Sequence, residues 1–304
     1  MSNAQKSLQR IEISPIQRLL RDFGRRRAAL DYAFFKVNLP EQHVALLVDF
    51  IIRRRQGIAQ VRVSAHAPEG SGVYFAEHPL ERLALESSDC AVSLERCWLG
   101  AAGSRGVVGP RAWDLTFHPI SPLVSPQIRL LEPFRPFDLS LQTVPDVRFS
   151  GTLTVAGRTY DVRDAHGMVS SYAGRALPER WFWFSCNTFD REDLVVECLL
   201  SRTALFGSPL RMNAGYFYLA TTERTETIIA PVNGSIQLEG TREAMTITVR
   251  RRGGGRYILR GEAATEDFHE LGDRIWNTLV GSCALEGYSS AQGSGALEER
   301  TPPQ

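Results

Sequence analysis

Residues 180–189 read Arg180-Trp181-Phe182-Trp183-Phe184-Ser185-Cys186-Asn187-Thr188-Phe189. Side chains alternate across a β-strand with period two. An extended reading therefore puts Trp181, Trp183, Ser185 and Asn187 on one face, and Phe182, Phe184, Cys186 and Thr188 on the other. Neither face is polar enough to meet solvent, so the segment predicts a central strand buried on both sides. The first face combines two indoles with two small hydrogen-bonding groups. That mixture suits the wall of a cavity holding a mostly apolar ligand with one polar handle. It also suits a packed strand whose polar groups are satisfied internally, and the residues leave both readings open.

Outward from this strand the β pattern continues. Residues 152–155 and 160–162 flank the turn Ala156-Gly157-Arg158-Thr159, and residues 245–249 and 257–259 flank Gly253-Gly254-Gly255, where a positive φ costs little. Residues 33–37 and 44–52 are runs rich in Phe, Val and Ile, the second interrupted by Asp49. Residues 60–67 alternate, with Val61, Val63 and Ala65 opposite Arg62, Ser64 and His66, which predicts one buried face. A single helix is expected over residues 15–30, with Ser14 as N-cap and Pro15 in its first position. Many short strands between turn signals predict a mostly β protein of two tandem antiparallel barrel or sandwich domains. Residues 119–145 carry Pro119, Pro122, Pro126, Pro133, Pro136 and Pro145, and proline cannot donate to a sheet ladder. This stretch reads as the link between domains spanning 1–146 and 147–304, with a partly disordered tail from Gly293.

Composition excludes several classes. Lys+Arg 35 against Asp+Glu 34 leaves a net charge of +1, so no overall field favours nucleic acid or an anionic membrane. The short runs Arg25-Arg26-Arg27, Arg53-Arg54-Arg55 and Arg250-Arg251-Arg252 read as solvated strand ends. The five cysteines are odd in number and show no C-x-x-C spacing, and the first ten residues are polar. Reduced thiols and a cytoplasmic location are therefore expected. No stretch approaches the roughly 18 apolar residues of a spanning helix, so no integral membrane segment is expected. There is no G-x-G-x-x-G, P-loop, H-E-x-x-H or G-x-S-x-G element, and the six histidines are scattered. No cofactor and no metal is expected, and the anticipated partner is an apolar small molecule.

The segment Leu177-Pro178-Glu179-Arg180-Trp181-Phe182-Trp183, followed by Cys186-Asn187-Thr188-Phe189 and preceded by Tyr172-Ala173-Gly174, resembles the central motif of the tocopherol cyclase-like family. That motif runs Glu-x-x-Trp-Gly-x-x-Phe-Pro and then Trp-x-Trp-x-Gln-x-Asn-x-Phe. Gly174, Pro178, Trp181, Trp183, Asn187 and Phe189 agree with it. Trp113-Asp114-Leu115-Thr116-Phe117, the stretch opening at Phe149-Ser150-Gly151, and Gly293-Ser294-Gly295-Ala296-Leu297-Glu298 resemble further segments of the same superfamily. It includes carotenoid 1,2-hydratase and lipocalin-like Diels–Alderases. The resemblance implies tandem lipocalin-like β-domains that act without cofactor on polyene or isoprenoid-like substrates. The family's acidic residue falls on Ser170 and its Gln on Ser185, so its carboxyl group is lost from that position. Asp164, His166 or Glu179 could replace it if a cavity presents one of them.

These readings lead to a cofactor-independent cyclase or pericyclase that folds a largely apolar polyene, polyketide or isoprenoid precursor. A carrier of an apolar metabolite and a double-bond hydratase are the alternatives. Tyr172, Ser185 and Asn187 are the candidate catalytic residues, placed to polarise a carbonyl. Trp181, Trp183 and Trp113 are the candidate substrate-binding residues.

Overall fold

The protein is described by a computed structural model covering residues 13–24, 28–86, 91–126, 139–204, 211–287 and 291–301. Arg25-Arg26-Arg27, Cys90, Pro133 and Pro136 lie outside the described residues.

The chain opens with a short helix, α1 (Pro15–Leu20). Ser14 caps it, its hydroxyl accepting from the Gln17 amide at 3.1 Å, and Ile16, Leu19 and Leu20 are buried. The helix is six residues long rather than extending to residue 30. After Arg21 the chain turns at Gly24 with a φ of 73°, and strand pairing already claims Leu30.

Eleven strands form the first sheet. They are β1 (Leu30–Leu39), β2 (Val44–Arg53), β3 (Ile58–His66), β4 (Gly72–Pro79), β5 (Leu83–Glu86) and β6 (Ala91–Leu94). Then follow β7 (Cys97–Gly100), β8 (Gly103–Val108), β9 (Arg111–Pro119), β10 (Leu139–Val155) and β11 (Arg158–Gly174). Neighbours pair antiparallel in the order β4-β3-β2-β1-β11-β10-β9-β8-β7-β6-β5. The first strand thus hydrogen-bonds to the last, and the two edges are consecutive strands.

The second sheet repeats this plan. Its strands are β12 (Arg180–Cys186), β13 (Val195–Ala204), β14 (Arg211–Ala220), β15 (Thr225–Ala230) and β16 (Gly234–Gly240). They continue with β17 (Ala244–Arg251), β18 (Arg256–Glu262), β19 (His269–Glu270), β20 (Ile275–Glu286) and β21 (Ala291–Arg300). The order is β15-β14-β13-β12-β21-β20-β18-β17-β16, with β19 on β20, so first and last strands again pair. Both sheets curl into nearly closed barrels, and the fold is that of two tandem lipocalin-like β-barrels. Among the described residues no helix is long and apolar enough to cross a membrane.

Both anticipated hairpins form. β10 and β11 join through Ala156-Gly157, each with positive φ (50° and 87°), the pairing a two-residue hairpin turn demands. β17 and β18 join across Gly253–Gly255. The limit at 147 does not mark the change of sheet. Val147 lies inside β10, paired with Pro119 of β9 and Gly167 of β11 in the first sheet, and the sheets change between Gly174 and Arg180. Pro145 is tolerated within β10 because the register shifts there, between Val144 and Val147, where no ladder donor is needed. The proline-dense stretch therefore joins two strands of one barrel. Nor is the tail from Gly293 free: β21 closes the second barrel against β12 and β20.

Each barrel interior is filled with side chains. Phe35, Phe117 and Phe149 pack with ring centroids 4.9–5.9 Å apart in the first, among Val61, Val63 and Trp113. Phe182, Phe184, Cys186, Phe217 and Leu259 fill the second. The opposite faces of β1, β2, β3, β10, β11, β12, β13 and β21 are largely buried as well, because the barrels lie against each other there. This corrects the one-faced reading of β3: Arg62 and Ser64 are as inaccessible as Val61 and Val63.

Candidate functional site

Where the barrels meet, their outer faces leave a cleft of about 110 Å3. Strand alternation decides what enters it. On β1 the even residues Tyr32 and Phe34 face outward, while Ala33, Phe35 and Val37 fill the first barrel. On β12 Trp181 and Trp183 face the cleft, while Phe182 and Phe184 fill the second. Leu141, Tyr172, Leu177, Pro178, Leu199 and Ile275 complete a mainly apolar wall. Phe34 meets the Trp183 ring edge-on, centroids 5.9 Å apart.

Three carboxyl groups and one guanidinium are set into this wall: Asp49, Glu197, Glu298 and Arg62. Asp49 and Arg62 form a buried ion pair at 2.9 Å, and Arg62 Nη1 also donates to the carbonyl of Leu271. Glu197 Oε1 accepts from Trp183 Nε1 at 3.1 Å, and Oε2 from Thr143 Oγ1 at 3.1 Å. Burial holds its carboxyl above the usual range, against the pull of these donors and of Lys36. Glu298 Oε1 accepts from Trp181 Nε1 at 2.8 Å, and Oε2 from Asn277 Nδ2 at 3.2 Å. Burial pushes its carboxyl up to about 7, with Arg62 acting in the opposite direction. Each indole of the Trp-x-Trp pair thus holds one carboxylate by its N–H, and the two carboxylates come from the strands on either side of β12.

A second layer lies behind Trp183. Lys36 is fully buried, and its Nζ donates to the Ser185 carbonyl at 3.0 Å and to Ser185 Oγ at 3.2 Å. The ammonium sits 6.0 Å from the Trp183 ring centre. Burial lowers its pKa to about 8.

The anticipated site residues separate into two groups. Trp181, Trp183 and Tyr172 line the cleft. The Tyr172 hydroxyl, however, already donates to the Ala176 carbonyl at 2.6 Å. Ser185 and Asn187 share the predicted face but lie beyond the cleft lining. Ser185 is bound to Lys36, and Asn187 Nδ2 donates to the carbonyls of Gly167 (2.6 Å) and Pro145 (3.3 Å). That amide ties β12 to β11 and to the bulge of β10. Gly167 must be glycine there, since a Cβ would lie 2.0 Å from the Lys36 carbonyl oxygen. Trp113 is inside the first barrel, donating to Ser104 Oγ at 2.9 Å, because the odd positions of β9 point inward.

Ser170, where the family acid was expected, does line the cleft, its hydroxyl spent on the Gln142 carbonyl at 2.9 Å. None of the suggested replacements reaches the cleft. Asp164 is a surface partner of Arg148, His166 bonds Asp146 at 3.0 Å, and Glu179 lies outside the lining. The carboxyl groups that line the cleft are those of Asp49, Glu197 and Glu298. Among the described residues no group of three or more His, Cys, Asp or Glu is arranged to hold a metal ion.

No family model matches this sequence, and no curated protein is significantly similar to it. Solved structures share its fold over almost its full length. Kievitone hydratase from Nectria haematococca aligns with a TM-score of 0.63 at 11% identity, covering 93% of this chain and 92% of that one. A candidate AttH from Nitrosomonas europaea aligns at 0.62 and 12%, covering 91% and 93%. CghA bound to Sch210972 aligns at 0.64 and 12%, covering 90% and 89%. At these identities the likeness establishes the architecture: a tandem pair of lipocalin-like barrels.

Proposed function

We propose that this protein is a cofactor-independent cyclase of the tocopherol cyclase-like kind. Its substrate is a largely apolar, unsaturated precursor of polyene, polyketide or isoprenoid type, folded in the cleft between the barrels. The observation that carries the reading is Glu298. A carboxyl group with a pKa of about 7, oriented by an indole and an amide against an apolar wall, is poised to give and retake a proton near neutrality. The missing acid at Ser170 no longer weighs against proton-assisted ring closure, because β21 supplies another. Protonation of an alkene or a polarised oxygen would start the closure, and return of a proton to Glu298 would end it. The product is then an isomer of the substrate and no cofactor is consumed. Trp181 and Trp183 offer π-faces to developing positive charge, an effect of about 2 kcal/mol when desolvated. Preorganisation of the flexible chain contributes independently of the acid.

The same carboxyl favours one second reading, hydration of a double bond, in which water rather than an internal nucleophile captures the cation. The likeness to a hydratase and to CghA, solved with a bound small molecule, is compatible with either. One experiment separates the readings. The protein is incubated with an organic extract of its native cells and the mixture is followed by mass spectrometry. A product of unchanged mass supports the cyclase, a product heavier by one water makes it a hydratase, and unaltered ligand recovered from the protein makes it a carrier. Conversion should survive chelator and dialysis. Its rate should fall as pH rises through about 7 and Glu298 loses its proton. Glu298→Gln should slow it by roughly 10²–10⁴-fold while leaving ligand binding intact.

A further inference from the structure

Ser185, Asn187 and Tyr172 were the expected partners for a polar group on the ligand, and all three are engaged elsewhere. Two other cleft-lining hydroxyls, those of Tyr32 and Tyr216, are buried with no hydrogen-bond partner among the described residues. Tyr32 lies on β1, only 5% exposed, with its ring edge-on to Tyr172 at 6.1 Å. Its hydroxyl oxygen is buried, and no group among the described residues accepts its hydrogen bond. The two differ in their surroundings: the Tyr216 phenol has the carboxyl of Glu197 beside it as an acceptor, and Tyr32 has no such neighbour.

From this geometry we propose that Tyr32 is the anchor for a neutral carbonyl oxygen of the ligand, so that the substrate class is an apolar chain bearing a ketone, aldehyde or quinone. A phenol can donate, and a buried donor without an acceptor is disfavoured, so the site is built for an acceptor on the ligand. Burial raises the Tyr32 pKa to about 12, which keeps the proton in place at neutral pH. The surrounding charges select against an anionic acceptor. The two cations that act on Tyr32, Arg62 and Arg53, are each already paired, with Asp49 at 2.9 Å and Asp273 at 2.7 Å, and those carboxylates would repel a carboxylate on the ligand. A cationic head group could donate to the phenol oxygen but would leave the phenol proton without an acceptor. Tyr32, Arg62 and Glu298 all line the one cleft. A carbonyl held by Tyr32 would therefore present the adjoining part of the chain to Glu298. This inference deepens the cyclase reading and rests on the same cleft.

The test is equilibrium binding, read by tryptophan fluorescence, of three probes: geranylacetone, the hydrocarbon of the same skeleton without the oxygen, and geranic acid. Wild type should bind the ketone about ten-fold more tightly than the hydrocarbon, the equivalent of one net hydrogen bond, and the acid more weakly than the ketone. Tyr32→Phe should bring the ketone level with the hydrocarbon and leave hydrocarbon affinity unchanged. The variant should also melt no lower than wild type, since it removes a hydroxyl that has no internal partner. Ketone preference that survives Tyr32→Phe overturns the inference. So does tightest binding of geranic acid, absence of ketone binding, or a lowered melting temperature. Ketone-selective binding through Tyr32 without any turnover would remove the cyclase reading and leave the anchor standing. Turnover with selectivity indifferent to Tyr32 would do the reverse.

Discussion

Strands β1 and β12 hold equivalent places in the two barrels, since each opens its sheet and each pairs with the last strand of that sheet. Their outward faces also read alike, Tyr32-Phe34-Lys36 against Trp181-Trp183-Ser185, and they meet: Phe34 touches Trp183, and Lys36 bonds Ser185. What differs is the chemistry beside them. Around β1 stand the phenol of Tyr32, the ion pair Asp49–Arg62 and the buried ammonium of Lys36. Around β12 the indoles hold Glu197 and Glu298. The first barrel brings the cations and the ion-paired Asp49, the second brings the two carboxyl groups held by indoles, and the cleft has both only when the barrels are together.

Stability against pH should show this division most strongly, leaving turnover aside. Lys36 of the first barrel has a pKa of about 8 in the fold against an ordinary 10.5. Between those values the unfolded chain keeps a proton that the folded chain has released, so stability rises with pH across that window, by on the order of 3 kcal/mol. Glu298 of the second barrel is raised from an ordinary 4.5 to about 7. There the folded chain keeps the proton, so stability falls as pH rises from 4.5 to about 7. This second limb should be shallower, because Glu298 is partly exposed. Denaturant titrations from pH 4 to 11 should trace both limbs. Lys36→Met should abolish the alkaline rise, and Glu298→Gln should reduce the acid-side fall to the part that Glu197 contributes. A flat profile would end the proposed contrast between the barrels.

Trp183→Phe removes a donor from the buried Glu197 and should cost about 1–3 kcal/mol, while also weakening geranylacetone binding. Asn187→Ala should cost a similar amount by leaving the Gly167 and Pro145 carbonyls unpaired, yet leave turnover per folded molecule unchanged. Thermal melts run beside binding and turnover assays distinguish these two residues of one strand face. If the losses are reversed, the boundary of the cleft along β12 is misplaced. Trp113→Phe is the mildest change, losing one hydrogen bond to Ser104 at about 0.5–1.5 kcal/mol, with ligand affinity unaltered. Altered affinity would mean that the first barrel's interior communicates with the cleft.

Much of this organisation was legible locally. The period of two along residues 180–186 separates the indoles from the phenylalanines, and the structure sends those faces to the cleft and the barrel core respectively. The turn residues at 156–157 and 253–255 define their hairpins. Buried charged groups left a fainter trace. Glu197 lies in Val195-Val196-Glu197-Cys198-Leu199, Lys36 between Phe35 and Val37, and Asp49 within an apolar run. A charge inside such a run must be buried and paired, so the signal was there to be used. Glu298 carried no sign of its role: it closes the family-like segment Gly293-Ser294-Gly295-Ala296-Leu297-Glu298, but nothing local marks it as an acid facing a cleft.

By itself, then, the sequence determined the β class, the hairpins and the two faces of β12, since backbone alternation and turn stereochemistry act between near neighbours. Tertiary structure alone decided that β10 and β11 belong to the first barrel, through their pairing with β9 and β1. It also decided that Glu298 stands opposite Trp183 across β12 and β21, and that the outer faces of two barrels enclose one cleft. Those facts depend on which distant strands share a register. Alternation fixes what a strand presents on each side, but long-range pairing selects what each side will meet.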